Sequence, residues 1–198
     1  MTGLVKLEFG MVYHIYNRGN NGENLFRSPE NYRYFLQLYN QHIYPVADTY
    51  AYCLLPNHFH FMARIKEAEE IIVQPVKEPS QYFSNWFNAY TRAFNPRYKR
   101  TGALFERPFG RKPVTSARYF YTLIAYIHRN PQKHGFVADF RDWPYSSYDA
   151  ILSDKPTRLS KTAVLDWFDG AAGFVEAHQT EPDEQLIGRL IADAEPAL

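Results

Sequence analysis

Hydrophobic positions change their period several times along the chain, and each change marks an element. Over residues 9–16, Val12, Tyr13, Ile15 and Tyr16 suit a pleated surface, and the turn-rich run Asn17-Arg18-Gly19-Asn20-Asn21-Gly22 follows. Ser28-Pro29-Glu30 offers a cap and a proline at a first helical position, after which Tyr32, Phe35, Leu36 and Tyr39 recur at helical spacing until Pro45. Two strands are predicted over residues 46–54 and 57–65, joined tightly through Leu55-Pro56. Phe83, Trp86, Phe87 and Tyr90 then predict a helix over 80–94, ended by Asn95-Pro96. Residues 103–114 read as a strand or bent hairpin interrupted by Pro108 and Gly110, and a third helix over 116–129 should stop at Asn130-Pro131.

This order of strand, helix, strand, strand, helix, strand, helix suits an α+β, ferredoxin-like plan: a four-stranded antiparallel sheet with packed helices. Beyond Trp143-Pro144-Tyr145-Ser146-Ser147-Tyr148 the sequence turns acidic and Ala-rich, with short helices expected over 160–168, 171–178 and 183–194. The chain therefore divides into a main domain, residues 1–150, and a helical C-terminal extension, residues 151–198.

Composition sharpens this picture in two ways. The 198 residues are 45% hydrophobic, enough for a real core, which excludes a disordered or collagen-like chain. The lone Cys53 excludes disulfide stapling and cysteine-rich zinc sites. No apolar run approaches a membrane span and no basic-then-apolar leader opens the chain, so a cytoplasmic protein is expected. The net charge of +1 hides an asymmetry: residues 1–150 carry 18 Lys and Arg against 12 Asp and Glu, and residues 151–198 carry 4 against 9. Much of the excess lies in 92–118, where Arg92, Arg97, Lys99, Arg100, Arg107, Arg111, Lys112 and Arg118 are opposed only by Glu106. Such a segment is either a solvated basic face or a phosphate-binding one.

The sharpest chemical feature is Pro56-Asn57-His58-Phe59-His60-Phe61. On a strand, His58 and His60 share one face while Phe59, Phe61, Ala63 and Ile65 share the other, so two imidazoles are presented together and can bind one metal ion. Met62, Ala63 and Arg64 supply no further ligand, which counts against a binuclear zinc hydrolase pattern. On the third helix Phe120, Leu123, Ile124 and Ile127 form the core stripe, with Tyr119, Tyr126 and Asn130 on one flank. Spacing alone does not choose among Tyr119, Tyr121 and Tyr126. The residue one turn later favours Tyr126 and leaves the choice open: Leu123 and Ala125 follow the first two, whereas Asn130, with a side-chain carbonyl oxygen, follows Tyr126. His128 and His134 read as surface or cap residues.

His14-Ile15-Tyr16-Asn17-Arg18-Gly19, Ala51-Tyr52-Cys53-Leu54-Leu55-Pro56-Asn57-His58-Phe59-His60, Thr101-Gly102-Ala103-Leu104-Phe105-Glu106, Tyr126-Ile127-His128-Arg129-Asn130-Pro131 and the Trp143 to Tyr148 run together resemble the single-tyrosine HUH transposases. The nearest branch is the IS200-like group that includes the REP-associated tyrosine transposases. The motifs occupy residues 10–150 in the family's order, and the acidic tail lies outside them. The resemblance implies a ferredoxin-like nuclease that cleaves and rejoins single-stranded or hairpin DNA through a 5′-phosphotyrosine. By position it implies Tyr126 as nucleophile, His58 and His60 as paired metal ligands, and Asn130 as a third. Mg²⁺ or Mn²⁺ is the expected metal, though Zn²⁺ or Ni²⁺ suits the same donors. Family members include dimers that exchange the tyrosine helix and forms that act alone, so a homodimer is one expectation.

DNA contacts are expected from Asn17, Arg18, Arg97, Lys99, Arg100, Arg107, Arg111 and Lys112, with exposed aromatic rings stacking unpaired bases. Competing readings are a non-catalytic, domesticated DNA-binding relative, a metal-dependent phosphoesterase that activates water instead of Tyr126, and a structural or protein-binding module.

Overall fold

In the computed structural model, which describes residues 5–180 and 188, the chain follows the ferredoxin-like order. Strand β1 (Val12–Arg18) leads through a short turn to α1 (Pro29–His42), then to β2 (Ala47–Leu54), β3 (His58–Ile65), α2 (Pro79–Arg97), β4 (Gly110–Pro113) and α3 (Ala117–Lys133). The sheet order is β2-β3-β1-β4, with every neighbouring pair antiparallel. Three further helices follow: α4 (Tyr148–Leu152), α5 (Lys161–Trp167) and α6 (Ala171–Gln179). The helix expected over 183–194 lies outside the described residues apart from Gly188.

β3 is central and covered on both faces. Its alternation sends Phe59, Phe61, Ala63 and Ile65 toward α1 and α2, where they join Tyr13 and Ile15 of β1 in one core. Trp86 of α2 sits at its middle with no exposure, its indole N–H donating to Phe35 O at 3.1 Å. Ring contacts to Phe35 at 4.3 Å and Tyr39 at 5.0 Å bind α1 and α2 into a single aromatic layer.

The other face is covered by α3, which lies across β2 and β3. Leu123, Ile124 and Ile127 of α3 pack with Ala51, Cys53 and Met62, and the same core takes in Ile151, Val164, Phe168 and Phe174 of the C-terminal helices. Residues 151–180 thus share a hydrophobic core with the sheet.

Three local expectations need correction. The predicted strand over 103–114 contracts to Gly110–Pro113, and only an isolated bridge from Phe105 to Gly19 remains of the rest. Gly110 is required there because the Tyr16 ring lies where its Cβ would be, 2.0 Å away. Helices α2 and α3 pass through Pro96 and Pro131 instead of stopping before them. Each proline lies in the last turn, where its fixed φ is helical and only one ladder bond is forfeited before the helix ends. His128, expected at the surface, is wholly buried. Its Nδ1 pairs with His178 Nε2 at 2.8 Å and its Nε2 with Ser147 Oγ at 2.7 Å, tying α3 to α6 and to the segment before α4.

Candidate metal and nucleophile site

The β1–β3 register sets Tyr16 opposite His60, Arg18 opposite His58, and His14 opposite Met62. By strand alternation these side chains share the face that α3 covers, so the histidines are shut in instead of facing water. His58 is 3% exposed, and His14, His60 and Asn130 are fully buried.

Each imidazole has one nitrogen committed and one left over. His58 Nδ1 donates to Asn57 Oδ1 at 2.8 Å, which leaves the Nε2 lone pair, buried and without a hydrogen-bond partner. His60 Nδ1 meets His14 Nε2 at 2.9 Å, and His60 Nε2 is likewise buried and unpartnered. On α3, Asn130 Nδ2 donates to Tyr126 O at 3.3 Å, one turn back, so the amide is turned with Oδ1 outward; that oxygen too is buried and unpartnered. Three donors of the kinds that divalent metals take are therefore left open by otherwise bonded side chains, which fits a cation site better than a structural one. Among the described residues, no three His, Cys, Asp or Glu side chains form a metal-holding group.

Electrostatics agree with neutral, ligating imidazoles. Burial is the main cause that pulls His58 down to about 3; nearby His134 pushes the same way, Asn130 opposes it, and Arg18 adds to it. His14 also falls to about 3 through burial and the charge of Lys112. His60 is held well below its usual range by burial and by its histidine neighbours.

Tyr126 is 2% exposed, and its ring stands edge-on to His60 with centroids 5.6 Å apart and 6.4 Å from His14. Lys133 Nζ lies 5.4 Å from the Tyr126 ring centroid, two turns along α3. Tyr119 is also buried on this face, whereas Tyr121 is exposed and faces Phe168. The structure thus brings His58 and His60 of β3 together with Tyr126 and Asn130 of α3.

The expected DNA-contacting residues are placed less uniformly. Asn17 is spent locally, accepting from Arg18 N and donating to Glu106 O, while Arg18 Nε pairs with Glu106 at 2.6 Å. Arg100 is a brace: it bonds Glu23 twice, Asn95 and Ala103 O. Arg97 lies over Tyr98, Lys99 and Arg107 are exposed, Lys112 is half-buried, and Arg111 is buried on the opposite face of β4.

Sequence reasoning passed over His14, Asn57, Lys133 and the closeness of His134 to His58, whose ring centroids are 4.9 Å apart. Strand alternation could have placed His14 beside Tyr16, and a seven-residue offset could have placed Lys133 under Tyr126. The His14 to His60 contact needed the register between two strands.

No family model matches the chain. A putative REP-associated tyrosine transposase of Haemophilus influenzae is 30% identical over 104 residues, covering 51% of this chain and 58% of that protein. The chain thus spans somewhat over half the length of the curated relative it matches. Among solved structures, a REP-associated tyrosine transposase bound to a REP hairpin superposes with a TM-score of 0.61 at 17% identity, over 79% of this chain and 89% of that one. That likeness is one of fold.

Proposed function

We propose that this chain, similar over 104 residues to a putative REP-associated tyrosine transposase, cleaves and rejoins single-stranded or hairpin DNA by way of Tyr126. The observation that carries the reading is the set of orphaned buried donors, His58 Nε2, His60 Nε2 and Asn130 Oδ1, beside a buried tyrosine one turn from that asparagine. His58, His60 and Asn130 would hold a divalent cation, Mg²⁺ or Mn²⁺ by the donor set. Such a cation supplies positive charge that draws electron density from a scissile phosphate.

The chain's own residues do the rest. Tyr126 Oη forms a bond to phosphorus as the bond to the 3′-oxygen breaks; the phenol proton is given up, the leaving oxygen gains one, and the phosphodiester is conserved as a 5′-phosphotyrosine. Rejoining runs the same displacement in reverse, with a 3′-hydroxyl as nucleophile. A phenol, ordinarily ionising near 10, needs positive charge at hand to act near neutral pH; Lys133, whose Nζ lies 5.4 Å from the Tyr126 ring centroid, would provide it. His14 and Asn57 hold the imidazoles so that each Nε2 faces the site. Arg18, opposite His58 in register and paired through Nε with Glu106, would meet a neighbouring phosphate with its remaining N–H groups.

The test is a denaturing gel of the protein incubated with labelled single-stranded hairpin DNA and Mn²⁺. A covalent protein–DNA adduct is expected, abolished in Tyr126→Phe while hairpin binding stays within about twofold. An adduct of undiminished yield in that variant overturns the assignment, and binding with no adduct in the unaltered protein marks a DNA binder that does not cut.

A further inference from the structure

Helix α6 grips the tyrosine helix from behind. On α3, Tyr126 and Asn130 are one turn apart and look toward the histidines of β3, whereas His128, midway between them, comes out on the far side of the helix. There it is wholly buried, with its ring centroid 5.0 Å from that of His178, 5.7 Å from Tyr148 and 5.9 Å from Phe174.

The hydrogen bonds through this cluster run in one direction. Phe174 O can only accept, so His178 Nδ1, 2.7 Å away, carries the proton. His178 Nε2 is then the acceptor for the His128 Nδ1–H at 2.8 Å, and His128 Nε2 the acceptor for the Ser147 hydroxyl at 2.7 Å. Ser147 Oγ in turn accepts from Tyr52 N of β2 at 2.8 Å. A second tie runs beside the first, from Arg129 Nη1 of α3 to His178 O at 2.7 Å. Through His128, helix α3 is therefore pinned to α6 on one side and, by way of Ser147, to β2 on the other.

As stabilisers, two buried imidazoles gain little over apolar residues of similar size, because desolvation offsets what their bonds return. What this chain of bonds adds is uniqueness: all of them are met in one roll of α3, where a purely hydrophobic contact would tolerate several. Across the helix, Asn130 Oδ1 and the Nε2 atoms of His58 and His60 make no hydrogen bond, so those atoms do not fix the roll. A roll of about 20° would carry a side-chain tip on a helix about 2 Å sideways. Displacement of reacting groups by even about 1 Å costs on the order of 100-fold in rate.

We propose that His178 is a positioning residue: by holding His128 it fixes the roll of α3 that presents Tyr126 and Asn130 to His58 and His60. This rests on the reading of Tyr126 as nucleophile, and a measurement made without DNA or metal separates the two. Adduct formation would be timed at saturating labelled hairpin DNA with Mn²⁺, at a temperature where thermal melts show every variant folded. His178→Leu removes the acceptor and should slow the adduct by about 30-fold while hairpin affinity stays within about twofold. His178→Gln returns an acceptor near the place of Nε2 and should bring the rate back to within about threefold. Val164→Ala trims a fully buried side chain of α5 that has no part in the histidine bonds, and should destabilise the fold yet keep the rate within about twofold. An unchanged rate in His178→Leu, equal losses in the Leu and Gln variants, or an equal loss in Val164→Ala overturns the positioning role. Hydrogen exchange without DNA or metal should show the amides of residues 126–130 exchanging about tenfold faster in His178→Leu than in His178→Gln. If the unaltered protein forms no adduct, the nucleophile reading fails and exchange decides alone: equal protection in the two variants overturns the hold of His178 on α3, and faster exchange in His178→Leu upholds it.

Discussion

Under α1 and α2 the sheet buries rings against rings, whereas under α3 it buries histidines. Both faces come from the same strands by simple alternation, so Phe59 and His60 are neighbours in sequence and belong to different chemistry. On the aromatic face the polar atoms of the central side chains are satisfied: Trp86 bonds Phe35 O, Tyr90 bonds Leu25 O, and Tyr39 pairs with Thr49. On the histidine face, atoms of His14, His58, His60 and Asn130 stay buried without partners. Leaving such atoms unmet costs stability, and the aromatic face is where that stability is made up. A fold whose aromatic face is densely packed can hold a face with several unpartnered buried atoms beside it.

The largest expected effect breaks the aromatic face. Trp86→Ala should destabilise the protein by about 3–5 kcal/mol, because a fully buried indole is lost from a packed layer. Urea denaturation checks this, and a loss below about 1 kcal/mol would mean that this face does not carry the stability assigned to it.

Acid should act next, and on the histidine face. Burial, partly offset by the hydrogen bond to Phe174 O, brings His178 down to about 4 in the fold, against an ordinary value near 6.5. Between those values the unfolded chain binds the proton and the folded chain does not. Stability from this group is therefore full above about 6.5 and is lost as pH falls toward 4, by up to roughly 3 kcal/mol. Thermal melts from pH 7 to pH 4 should show the fall, and His178→Gln should make it shallower, with the other buried histidines, His14, His58, His60 and His128, supplying the remainder. A melt independent of pH across that window would contradict the buried histidine pair.

Smaller effects separate reactivity from stability. His58→Ala and His60→Ala should each lower Mn²⁺-dependent cleavage by about 100-fold, since each removes a proposed ligand. Their melting in chelator should change far less than that of Trp86→Ala. Equal cleavage in chelator and in Mn²⁺ by the unaltered protein would remove the metal from the mechanism. His14→Phe keeps an aromatic ring but removes the hydrogen bond that orients His60, and a loss of about tenfold in Mn²⁺ affinity is expected by calorimetry. Unchanged affinity would make His14 a packing residue.

Much of the fold was legible because its signals are local. The β2–β3 hairpin follows from two apolar runs around Leu55-Pro56, and α1 from Ser28-Pro29 and a helical stripe. The segment 103–109 misled because its apolar residues fill the core from a loop: Leu104, Phe105 and Phe109 are buried without belonging to a strand. Pro96 and Pro131 misled because a proline in a last turn costs little. For the candidate site, the separation of His58 and His60 from the phenylalanines was readable from alternation, and the offset of Tyr126 and Asn130 from helical period. His128 was not readable, because its partner His178 lies 50 residues further along the chain.

No described helix is long and apolar enough to cross a membrane. The sequence by itself determined which side chains share a strand face or a helix turn, because periods of two and 3.6 residues are properties of the backbone. It also determined the charge asymmetry between the first 150 residues and the remainder. Only the tertiary structure decided that α3 covers the histidine face and that His14 holds His60. Those facts depend on strand register and on which helix lies over which face, and both are settled by packing between residues far apart in the chain.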